Sequence, residues 1–139
     1  MVTPEVEEEF AKILVTRVRD AAIQSCDRIL QSSGGAAIVK RWKEARASTP
    51  EAFAKVLIPD IVDETIANLL IAIDQELLRL SFTASNGKSV DLTSIAKEFG
   101  ELSGSYGGSW CKKYSKERFI DDFADLKDSF KKPPDSGQK

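Results

Sequence analysis

The stretch PDIVDETIANLLIAIDQELLRL, Pro59 to Leu80, constrains the fold more than any other part of the chain. Val62, Ile66, Leu69, Leu70, Ile73, Leu77 and Leu80 recur at spacings of three and four, the signature of a helix with one buried face. Ile61, Ile71 and Leu78 lie off that stripe. A helix that is apolar on more than one side is surrounded by other elements, so this segment is expected at the centre of its domain.

The rest of the chain reads as elements that pack around it. Thr3-Pro4-Glu5 and Thr49-Pro50-Glu51 each combine a hydroxyl cap, a proline at the first helical position and an acid that complements the helix dipole. The first predicts a long helix ending near Gly34-Gly35, and the second a short one ending near Leu57. The apolar face of the long helix starts at Val6, Phe10, Ile13 and Leu14, but by Ala22, Cys26 and Ile29 it has drifted about half a turn at 100° per residue. A kink or a change of neighbours along the helix is therefore expected. Between these two lies AAIVKRWKEARA, with Ile38 and Trp42 on one side.

Beyond Leu80 the pattern changes. Asn86-Gly87, with Phe82 and Ala84 before it and Val90 and Leu92 after it, is a hairpin signal. Asp91 or Thr93 caps a short helix, LTSIAKEF, which Gly100 stops. GELSGSYGGSW then reads as a glycine-rich loop, and Ser115 as the cap of a last helix with the apolar stripe Phe119, Phe123, Leu126 and Phe130. The expected fold is mainly α: a compact single-domain bundle of five or six helices over residues 1–130. It carries a short β-hairpin near residues 80–92, and residues 131–139, with Pro133-Pro134, form a flexible C-terminal tail.

Composition removes whole classes of chemistry. The 139 residues contain no histidine, which takes away Ser-His and Cys-His nucleophile activation, imidazole base catalysis and His-ligated zinc together. No metal or cofactor motif takes their place, so an enzyme is disfavoured and none of these residues is assigned a catalytic, cofactor or metal role. The net charge of −2 argues against a general attraction to nucleic acid. MVTPEVEEEF lacks the basic and apolar regions of a secretory signal, and no apolar run approaches the roughly 20 residues of a membrane span. Cys26 and Cys111 form no CxxC pair and read as free thiols of a cytoplasmic protein.

Three surface features compete for a functional role. Asp121, Asp125 and Asp128, with Asp122 on the shoulder, form an acidic row whose like charges weaken the helix that carries it, so a docking face for a basic partner protein is expected there. Tyr106 and Trp110 in the neighbouring glycine loop serve as amphipathic anchors for the same partner. The alternative is a small-molecule pocket or enzyme site between the central helix and the 100–110 loop, bordered by Asp74, Tyr106 and Trp110. A second alternative is weak nucleic-acid binding by Lys40, Arg41, Lys43 and Arg46, with Trp42 for stacking. Arg17, on the early apolar face, is expected to pair with Asp74 at the edge of the core.

From VDETIANLLIAIDQELLRLSF through SNGKSVDL and GELSGSYGGSW to YSKERFIDDF, the second half of the chain resembles a group of small bacterial proteins of uncharacterised function. The resemblance implies a bacterial, cytosolic setting and brings no established activity with it. Taken together, the expectation is a non-enzymatic interaction protein, immunity- or adaptor-like, that docks a basic partner.

Overall fold

The computed structural model describes residues 3–122. Among them are five helical runs and one two-stranded antiparallel hairpin. Helix α1 is continuous through three segments, Pro4–Ile13, Leu14–Asp20 and Ala21–Gln31. The middle segment is π-helical. A π-turn advances through fewer degrees per residue than an α-turn. Seven residues of it change the direction of the apolar face along the helix, and the early stripe residues Val6, Phe10 and Leu14 remain exposed. Val18, within the π segment, and Ala22, just after it, are both buried. The Thr3 hydroxyl makes no cap, and its carbonyl instead accepts the amides of Val6 and Glu7.

Helix α2 (Ala37–Arg46) buries Val39 and Trp42. Helix α3 (Pro50–Asp74) is one 25-residue element where the sequence predicts two helices separated at Pro59. Its start is as expected, with the Thr49 side chain accepting the Ala52 amide at 3.2 Å. Pro59 lies inside the helix and deprives the Lys55 carbonyl of its usual donor. The helix continues because both sides of the proline are anchored: Val56 and Leu57 are half-buried before it, and Asp60 is tied to α2 after it.

The central position expected for this helix is found, since α3 packs against α1, α2 and the elements that follow it. It ends at Asp74, short of the expected Leu80. Glu76 takes a left-handed conformation (φ 61°), and the amides of Leu77 and Leu78 both fold back onto the Ala72 carbonyl. This turn drives Leu78, which lies off the helical stripe, into the main core with Ala72, Ile73 and Leu102. Ile13, Leu69, Leu70, Leu80, Leu92, Ile95 and Ala96 surround them.

Strands β1 (Ser81–Thr83) and β2 (Ser89–Asp91) pair with Phe82 opposite Val90. Gly87, at φ 88°, supplies the left-handed turn residue. Asp91 accepts the Thr93 amide at 2.9 Å and so starts helix α4 (Leu92–Phe99), which Gly100 ends at φ 106°. The last run, α5, comprises Leu102–Ser105, a π-helical Tyr106–Trp110 and Cys111–Tyr114. No helix among the described residues is long and apolar enough to cross a membrane.

Two expectations for the C-terminal part are corrected. The glycine-rich stretch is helical, for a reason given below. Residues 115–122 are not helical: Ser115 Oγ accepts the Glu117 amide at 3.1 Å within a turn. The rest of the expected last helix, including Phe123, Asp125, Leu126, Asp128 and Phe130, and the expected tail at 131–139 lie outside the described residues.

Candidate functional site

Three groups of polar contacts made by aspartates of α3 reach other parts of the chain, and the most informative runs to α5. The carboxylate of Asp74 accepts the Leu102 amide at 2.8 Å, the Ser103 amide at 3.1 Å and the Ser103 hydroxyl at 2.7 Å. Glu101, the residue just before α5, provides no side-chain cap, so the carboxylate at the end of α3 does the capping from across the core. That contact, with Leu102 buried beside it, starts a helix that Gly104, Gly107 and Gly108 would otherwise disfavour by about 1 kcal/mol each. It also corrects the expected Arg17–Asp74 pair: Arg17 is exposed and forms no salt bridge with a described residue.

The second group joins α2, α3 and the segment after α5. Arg41 donates to both oxygens of Asp60, at 2.9 and 3.1 Å, and to both oxygens of Asp122, also at 2.9 and 3.1 Å. The indole N–H of Trp42 donates to Asp60 Oδ2 at 2.7 Å. Hydrogen bonding to Asp122, followed by that to Asp60, holds the Arg41 guanidinium still more firmly protonated than usual against the opposing effect of burial. Trp42 is only 1% exposed, so it presents no face for a base to stack on. Arg46 is also engaged internally, donating to the Leu30 carbonyl at 3.0 Å and lying over the Phe53 ring. Of the expected nucleic-acid segment, Lys40 and Lys43 alone remain exposed without such roles. Of the expected acidic row, Asp122 is exposed and paired with Arg41, Asp121 is half-buried, and Asp125 and Asp128 lie outside the described residues.

The third group lies within an open groove of about 610 Å³. Its floor and one side come from α3, with Ile58, Pro59, Val62 and Asp63. Ile58, Val62 and Asp63 fall at helical spacing on one face, next to the proline. α5 lines it with Tyr106, Trp110, Cys111 and Tyr114 at i, i+4, i+5 and i+8, and the segment after α5 adds Ser115, Glu117, Arg118 and Phe119. Apolar side chains that would normally be covered stand open here: Ile58 is 53% exposed, Val62 50% and Tyr114 69%.

At the polar centre of the groove the Tyr106 hydroxyl donates to Asp63 Oδ1 at 2.6 Å. Burial, then this hydrogen bond, then the neighbouring Cys111 push the Tyr106 phenol well above its ordinary range, so it stays protonated at neutral pH. Both cysteines are free. Cys26, half-buried elsewhere, is held as a thiol, first by burial and then by the negative charges of Glu64, Asp27 and Asp60.

An open groove, rather than a deep pocket, lies between the central helix and this stretch, and Tyr106 and Trp110 are among its lining residues. Asp63, not Asp74, supplies its carboxylate. The signal for Asp63 was its place one turn after Pro59 in an apolar helix, which by itself does not distinguish it from any solvated acid. Among the described residues no cluster of three or more histidine, cysteine, aspartate or glutamate side chains is close enough to hold a metal ion. No family model, curated protein or solved structure matches this chain.

Proposed function

We propose that this chain is a non-enzymatic binding protein that takes a small ligand with an apolar body in the groove between α3 and α5. The supporting observation is the groove itself: its volume of about 610 Å³ falls within the range of small-molecule sites, and aromatic and aliphatic walls surround one oriented polar pair. Binding is favoured over turnover by the chemistry of that pair. Tyr106 is kept protonated and donates its proton to a carboxylate hydrogen bond, so it is not a base, and Cys111 has no imidazole to activate it. The acidic-row reading, by comparison, loses Asp122 to an internal ion pair.

Naphthylmethanol, a neutral aromatic alcohol, tests the proposal. Cys111 lines the groove and Cys26 does not, so a saturating concentration should slow alkylation of Cys111 by N-ethylmaleimide while leaving Cys26 unchanged. Trp110→Glu, which puts a charge on the apolar wall, should abolish the protection. Equal Cys111 alkylation rates with and without the alcohol would sink the proposal.

A further inference from the structure

We infer that the ligand of this groove is an organic cation, an amine attached to an aromatic or aliphatic body, and that Asp63 is the residue that recognises its charge. The inference rests on the small-ligand reading above and adds the ligand's chemical class to it.

The charge of the groove points that way. Among the described residues, three ionisable ones other than the tyrosines and Cys111 line it: Asp63, Glu117 and Arg118. Glu117 and Arg118 are adjacent in sequence, opposite in charge and both exposed, so their effects on a ligand largely cancel and are screened by solvent. Asp63 is different: it is half-buried and forms no salt bridge with any described residue. Of its acidic neighbours on α3, Asp60 is neutralised by Arg41, while Glu64, whose carboxyl is pushed up by burial first and then by the charges of Asp60 and Asp63 with Arg28 opposing, forms no salt bridge with any described residue.

The geometry agrees with the charge. Tyr106 donates to Asp63 Oδ1 and so fixes the orientation of the carboxylate, leaving Oδ2 as an acceptor for a donor from the ligand. A neutral donor would satisfy that oxygen, but a cation also gains from the rings. Tyr106, Trp110, Tyr114 and Phe119 all line the same groove, and the faces of aromatic rings attract cations. A carboxylate ligand would face the opposite situation, bringing a second negative charge toward Asp63, with the exposed Arg118 as the one cation among the described lining residues. In this arrangement Asp63 is the ligand-contacting residue and Tyr106 is a positioning residue.

Three probes of matched shape separate this inference from the reading beneath it: naphthylmethylamine, naphthylmethanol and naphthylacetate, each titrated calorimetrically into the full chain at low salt and near neutral pH. The amine should bind about tenfold or more tightly than the alcohol, the scale of one charge-assisted hydrogen bond, and the acetate should bind most weakly. Asp63→Asn, which keeps an acceptor for Tyr106 but removes the charge, should reduce amine binding far more than alcohol binding, so that the preference for the amine over the alcohol is lost. Tyr106→Phe should weaken amine binding by a smaller factor and reduce its preference over the alcohol. If amine and alcohol bind equally to the unaltered chain, the cation assignment is overturned while the groove reading stands. If none of the three binds, both fall. The comparison of probes on the unaltered chain decides the matter even if a variant fails to fold.

Discussion

Asp74, the last residue of α3, accepts the backbone amide of Leu102 across 2.8 Å, so one helix is started by the end of another 28 positions earlier in the chain. A cap supplied by the residue just before the helix contributes about 1 kcal/mol. Here the carboxylate serves two amides and a hydroxyl, and the helix it starts is rich in glycine. Asp74→Ala is expected to lower stability by about 2 kcal/mol in urea unfolding. Because α5 forms one wall of the groove, the same variant should also speed alkylation of Cys111. Asp74→Asn, which retains one acceptor oxygen, should show less than half of either effect. A helical content and unfolding midpoint identical to those of the unaltered chain would show that α5 starts without this cap.

That contact also explains where the sequence could and could not be read. The hairpin at Asn86-Gly87, the Asp91 cap, the Gly100 stop and the Thr49 cap are local devices, in which residues two or three apart satisfy one another, and each was legible. The apolar stripe of α3 placed that helix at the centre, because periodicity records burial directly. The glycine stretch was misread because its helical start depends on a carboxylate from another element. The break expected at Pro59 failed for a similar reason: contacts from α2 and the packing around Val56 and Leu57 outweigh a local penalty of about 3 kcal/mol. Of the groove, Tyr106 and Trp110 were legible as large amphipathic side chains. Asp63 was not, since its pairing with Tyr106 joins positions 43 residues apart.

Arg41 holds the segment after α5 in place, and its two carboxylate partners should contribute unequally. The Asp60 side chain is 13% exposed and also accepts from Trp42, whereas Asp122 is 27% exposed and accepts from Arg41. Arg41→Ala is expected to destabilise the fold by roughly 2–3 kcal/mol, because it strips a charged partner from a part-buried acid. A double-mutant cycle should give the Arg41/Asp60 pair a coupling of about 2 kcal/mol and the Arg41/Asp122 pair about 1 kcal/mol or less. Since Ser115, Glu117, Arg118 and Phe119 line the groove just before Asp122, Asp122→Ala should cost little stability and still weaken naphthylmethanol binding several-fold. Coupling energies in the reverse order would mean that the link to Asp122 is the structural one.

Glu64 gives the fold a pH dependence whose direction follows from its surroundings. It is half-buried on α3, and burial first, then the charges of Asp60 and Asp63, push its carboxyl above its ordinary value of 4.5, with Arg28 opposing. A carboxyl whose value is higher in the folded chain than in the unfolded chain binds its proton more tightly when folded. The stability it contributes is therefore fully present below pH 4.5 and is lost as the pH rises through the higher folded value, leaving an unfavourable buried charge at neutral pH. Glu64→Gln removes that charge and keeps the shape. The variant should melt at a higher temperature than the unaltered chain near pH 7, and the difference should shrink toward zero as the pH is lowered to about 4. Because Asp63 is adjacent, the variant should also weaken the binding of naphthylmethylamine, by removing part of the negative potential, while leaving naphthylmethanol unaffected. A melting-temperature difference that stays constant from pH 7 to pH 4 would show that Glu64 acts through packing and not through its charge.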